Sequence, residues 1–134
     1  MNMPNTDPAK CTILLLDSDP LTRAILHDVL QRAGYLVMEA GDLGVAVDRL
    51  NMSRPNLLVV RPYISSMSGA KAAKYLRTKC PGLPVLMVDG FMADDRLRVQ
   101  SEVHDMHLFP KPFAPRDLVD KVGELFRAMQ AKAR

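Results

Sequence analysis

The chain has 134 residues, 48% of them hydrophobic and 25% charged, and a formal net charge of +3. That is the size of one domain with enough apolar material for a real core. The opening stretch MNMPNTDPAK is polar with two prolines, and the apolar runs elsewhere are far too short to span a bilayer, so neither a signal peptide nor a membrane span is expected, and the expected location is cytoplasmic. Cationic residues read as dispersed among acids, without the clustering that marks a nucleic-acid surface. Cys11 and Cys80 match no metal spacing and are too sparse for a disulfide framework, so reduced thiols are expected.

After a leader over residues 1 to 11, TILLL (12 to 16) is a short continuous apolar run of the kind buried on both faces of a parallel sheet. Asp19 can cap a helix that Pro20 opens, with Leu21, Ile25, Leu26, Val29, Leu30 and Ala33 as one apolar stripe until Gly34 stops it. YLVMEA (35 to 40) predicts a second strand, and Leu43, Ala46, Val47 and Leu50 predict a second helix ending before SRP. NLLVV (56 to 60) predicts the third strand. Gly69, Ala72, Ala73 and Leu76 outline a small-residue helix ended by CPG, and PVLMV (84 to 88) predicts the fourth strand. A short helix over 91 to 102, a brief fifth strand HLF (107 to 109) and a last helix opened by Pro115 complete the alternation, with Leu118, Val119, Val122, Leu125, Phe126 and Met129 on the last helix's apolar face. The domain is placed at 12 to 130, with 131 to 134 as a tail.

Strands and helices in alternation predict right-handed crossovers and a doubly wound α/β domain, a five-stranded parallel sheet with five helices. Ligands of such sheets sit outside the carboxyl ends of the strands. That rule selects Asp17, Ser18 and Asp19 after the first strand, Arg61 after the third, Asp89 and Gly90 after the fourth, and Lys111 after the fifth.

These positions lie in LLLDSDP, PNLLVVRPYISSMSG, LPVLMVDG and FPKPF, and in that order and spacing the chain resembles the receiver domain of bacterial two-component response regulators from residue 12 to about 130, which implies a flavodoxin-like fold with strand order 2-1-3-4-5. The resemblance implies an acceptor aspartate at the end of the third strand, where Arg61 stands, and a protonated guanidinium cannot attack a phosphohistidine. It also implies a magnesium site built from the acidic pair after strand one and the acceptor. Here Asp17 matches, Ser18 replaces the second acid, and Arg61 replaces the third ligand. Magnesium wants carboxylate oxygens, and a divalent ion about 4 Å from a guanidinium is repelled by roughly 8 kcal/mol at an effective dielectric near 20. The family's Ser or Thr after strand four is Asp89, the aromatic of strand five is Leu108, and Pro62 removes a backbone N–H beside the acceptor position. Lys111, followed by Pro112, keeps the family identity, and the resemblance implies a cis peptide between them.

The expected reading is a degenerate receiver whose Arg61 and Lys111 form an ion network with Asp17 and Asp89. The simpler alternatives stay open at each position: Asp19 as an N-cap only, and Arg61 as a solvated arginine. His104 and His107 lack further ligands for a metal, and His27 falls off the apolar stripe and reads as a surface residue. No cofactor, no metal and no enzymatic activity are expected. The expected function is a phosphorylation-independent interaction module in a phosphorelay, binding a signalling protein, kinase or output protein through the face of helix 4, strand 5 and helix 5, with no nucleic acid and no membrane partner and with a homodimer allowed. Two other readings are carried alongside: an anion or small-metabolite sensor using Arg61, Lys111 and the Gly90 N–H, and a receiver phosphorylated at Asp17 or Asp89.

Overall fold

A computed structural model describes residues 11–65, 67–88, 107–109 and 114–132. In chain order the elements are β1 (Thr12–Leu16), α1 (Pro20–Arg32), β2 (Leu36–Ala40), α2 (Leu43–Met52), β3 (Leu57–Val60), β4 (Tyr63–Ile64), β5 (Met67–Ser68), α3 (Gly69–Lys79), β6 (Val85–Val88), β7 (His107–Phe109) and α4 (Pro115–Lys132). The main sheet runs β2-β1-β3-β6-β7, all pairs parallel. Four helices fall among the described residues, and the helix expected over 91 to 102 lies outside them. No helix among the described residues is long and apolar enough to cross a membrane.

The apolar strands are buried on both faces because successive side chains alternate between two layers. Leu14, Leu16, Leu58, Val60, Val85 and Met87 pack under α2 and α3, while Ile13, Leu15, Leu57, Val59, Leu86 and Val88 pack under α1 and α4. Cys11 and Cys80, both free thiols, are buried. Side chains of Asp19, Asp42 and Ser68 accept the first-turn N–H groups of α1, α2 and α3, and Gly34 takes the positive φ of 100° that ends the turn after α1.

Two features depart from the periodicity. The apolar stripe expected on α1 is wider than the surface it covers: Leu26 and Leu30 are buried, but Leu21 and Ile25 stand 71% and 52% exposed. The stretch after β3, where the apolar pattern predicts no element, contains a small antiparallel hairpin pairing Tyr63 with Ser68 and Ile64 with Met67. Strands of two residues are too short for any alternation to register.

Candidate strand-end site

In the parallel register Leu16 lies beside Val60, so the residues that follow, Asp17 and Arg61, leave the sheet side by side. Asp17 has no exposed surface, and its Oδ1 accepts from the Asp19 N–H at 2.9 Å and lies 3.6 Å from Arg61 Nη1. Its Oδ2 is buried without a hydrogen-bond partner. Burial raises the Asp17 pKa above its ordinary value, against the opposing pull of the Asp19 N–H and the Arg61 charge. Ionising this carboxyl therefore carries a cost that one long ion pair only partly offsets.

Asp19 is exposed and serves as the N-cap of α1. Its Oδ2 accepts from the Thr22 N–H at 3.3 Å and from the Thr22 hydroxyl, and that hydroxyl bond is the first cause of its lowered pKa. Ser18 Oγ accepts from the Ser65 N–H at 3.1 Å, tying the turn after β1 to the tip of the hairpin, where Ser65 takes a positive φ of 56°. A hydroxyl at position 18 thus holds two loops together.

Beneath Arg61 the chain is tightly packed. The Gly69 N–H donates to the Pro62 carbonyl at 2.7 Å, and a Cβ at Gly69 would lie 1.8 Å from the Arg61 carbonyl oxygen. Only glycine allows α3 to begin so close to the end of β3.

A second cluster, absent from the sequence reading, borders this site. Arg23 Nη1 donates to the Asp17 carbonyl at 2.7 Å, and Arg23 Nε pairs with Glu39 Oε1 at 3.1 Å. His27 Nδ1 meets Glu39 Oε2 at 2.6 Å, and Arg49 Nε donates to the Glu39 carbonyl at 3.0 Å. His27, expected as an ordinary surface residue, is half-buried in an ion cluster that joins α1 to β2. The signal was present as the i, i+4 spacing of Arg23 and His27, which places both on one side of α1. Their partner sits on another element, which spacing alone cannot select.

Of the expected site, Asp17, Ser18, Asp19 and Arg61 converge at the ends of β1 and β3. Asp89, Gly90 and Lys111 lie outside the described residues, as do the Lys111–Pro112 peptide and His104. Leu108 falls on β7 and His107 is exposed at its start. Chemically the described part offers a buried carboxylate and a partly exposed guanidinium, with Arg61, which has no nucleophilic atom, at the end of β3.

The family described as the response regulator receiver domain matches residues 13–123. Among curated proteins, the chain is 29% identical over 126 residues to the probable transcriptional regulatory protein TcrX of Mycobacterium tuberculosis, covering 93% of this chain and 53% of that protein. It is 28% identical over 116 residues to the response regulator receiver protein CpdR of Brucella abortus, covering 87% of this chain and 97% of the other. The chain thus spans about half the length of the transcriptional regulators it matches and nearly all of CpdR. Its fold is shared with a CheY-like receiver domain from Methanospirillum hungatei, with a TM-score of 0.77 at 24% identity, covering 92% of this chain and 98% of the other.

Proposed function

We propose that this chain, which belongs to the response regulator receiver family, is a pseudo-receiver: an interaction module of two-component signalling that works without phosphorylation of its third-strand position. One observation carries the reading. Arg61 occupies the end of β3, where the family resemblance expects the acceptor, and lies 3.6 Å from Asp17, the carboxylate that remains of the acidic pair. A fixed cation there removes the nucleophile and repels a divalent metal through the same atoms. Ser18 reinforces this, because its hydroxyl is engaged by the Ser65 N–H.

With no chemistry of its own at Arg61, such a module acts by presenting a surface to a protein partner. The reading favours an exposed surface near the strand ends, and Leu21 and Ile25, one turn apart on α1 and both exposed, supply an apolar patch of that kind. The face formed by residues 91 to 102, β7 and α4 is retained as a proposal; part of it lies outside the described residues.

The test is incubation with acetyl phosphate and magnesium, followed by intact-mass measurement, together with amide spectra recorded with and without beryllofluoride. The expected result is no added phosphoryl mass and no shift at residues 17, 18 and 61. Phosphoryl transfer to Asp17 or Asp89 would replace this reading with that of a receiver using a displaced acceptor.

A further inference from the structure

The charge of this chain is partitioned more sharply than its net value suggests. Residues 49 to 88 contain seven cations and no aspartate or glutamate, while the rest of the chain has eleven cations against fifteen acids. A net +3 is therefore +7 on one segment and −4 elsewhere, so the impression of dispersed cations is corrected once the chain is divided by element. Within that segment Arg61 is turned to Asp17 and Arg49 to the Glu39 carbonyl. Four of the other cations, Lys71, Lys74, Arg77 and Lys79, lie on α3, which carries no acid.

Lys71, Lys74, Tyr75, Thr78 and Lys79 are exposed and recur at intervals of three and four, so they share one side of the helix. Arg77 is turned aside, its Nε donating to the Leu83 carbonyl at 2.8 Å. Helix-end electrostatics accounts for Lys79 but not for Lys71, whose charge sits in the first turn, where the macrodipole disfavours cations. The face is not purely polar either. Tyr75 is 46% exposed with Lys79 Nζ 5.5 Å from its ring centroid, and the neighbouring α2 ends in Met52, 74% exposed, followed by the exposed Arg54.

We propose that the outer face of α3, with the end of α2, docks a protein partner that presents an acidic amphipathic helix. The lysines form a cationic border for acidic side chains, and Tyr75 and Met52 are the residue types that anchor protein interfaces. A nucleic-acid duplex matches less well. It offers little apolar surface to Met52, and the stripe from Lys71 to Lys79 is about 12 Å long, short for the many phosphate contacts that support such binding. The surface uses none of Asp17, Ser18 or Arg61, so it stands whether or not the strand-end site accepts a phosphoryl group.

The test is a titration of isotope-labelled protein, followed by amide and methyl spectra, with three probes: a synthetic helical peptide carrying glutamates around a leucine stripe, a scrambled peptide of the same composition, and a DNA duplex of about 20 base pairs. The expected result is saturable shifts at Met52, Lys71, Lys74 and Tyr75 with the amphipathic peptide, and binding at least about tenfold weaker for the scrambled one. The double variant Lys71→Glu/Lys74→Glu should lose about tenfold, and Arg32→Gln on α1 should lose none, with both variants still folding cooperatively. Equal binding of the two peptides, tighter binding of the duplex at the same residues, or no shift with any probe would each overturn the proposal.

Discussion

Asp17 and Arg61 follow the ends of adjacent parallel strands and meet at 3.6 Å, the Asp17 side chain without exposed surface and the Arg61 side chain 24% exposed. Removing the cation leaves a buried negative charge. Breaking a fully buried pair costs about 3 to 5 kcal/mol, and water reaching Arg61 reduces the expected loss for Arg61→Met to about 2 kcal/mol at pH 7. Arg61→Asp should be less stable still, since it sets a second carboxylate against the first. Urea unfolding of the three proteins decides this, and equal stability of Arg61→Asp and the parent would show that Arg61 does not neutralise Asp17.

Asp17 itself should oppose stability at neutral pH. Its folded pKa is raised above the ordinary 3.8, so the folded chain holds the proton longer than the unfolded one. Stability from this group is fully present below the unfolded value and lost as pH rises through the raised folded value. Asp17→Asn, which keeps an oxygen for the Asp19 N–H, should be more stable than the parent at pH 7, with the difference vanishing near pH 3. Unfolding midpoints across that range are the measurement.

Magnesium should leave the parent unmoved and become a stabiliser once the ligands are restored. The double variant Ser18→Asp/Arg61→Asp gathers three carboxylates and should be the least stable form without metal. If the rebuilt site binds with a dissociation constant of about 1 mM, then about 10 mM magnesium returns about 1.4 kcal/mol. A thermal-unfolding titration of parent and variant would read the difference directly.

Gly69→Ala tests the backbone packing under the site. The added methyl would overlap the Arg61 carbonyl oxygen at 1.8 Å, with the Arg61 carbonyl carbon at 3.0 Å and the Pro62 carbonyl carbon at 3.2 Å, so there is no flexible side-chain end to give way. A loss of about 3 kcal/mol is expected, with amide shifts centred on residues 61 to 69. Gly44→Ala, whose added Cβ would meet only the Asp42 carboxylate at 3.4 Å, is the control and should be close to neutral.

Glu39 receives Arg23 and His27 on separate oxygens. Because Glu39 is 37% exposed, Glu39→Gln should cost only about 1 kcal/mol, and about 1 M salt should shrink that difference. A cost independent of salt would mean that the cluster acts by packing.

Parallel topology and both core layers were legible because they rest on repeated signals: continuous apolar strands and helices bounded by Asp19–Pro20, Gly34 and Pro115. The Asp17–Arg61 encounter was legible because strand ends on a parallel sheet are neighbours by construction. The Ser18–Ser65 bond, the Arg23–Glu39–His27 cluster and the exposure of Leu21 and Ile25 were not. Each depends on how far one element is rotated or offset against another, and no single segment encodes that quantity. The cationic face of α3 could have been found from composition alone, by counting charge per element rather than per chain.

The Ser65 N–H has one further consequence, in kinetics. Its acceptor is the Ser18 hydroxyl, 47 residues earlier, and Ser65 itself holds a left-handed φ of 56° that a non-glycine residue sustains at a cost of about 1 kcal/mol or more. Proton exchange at this one amide therefore reports separation of the β1–α1 turn from the hairpin rather than melting of any helix or strand. Its protection factor gives the free energy of that opening, and its loss in Ser18→Ala, with core amides still protected, would separate the local motion from global unfolding.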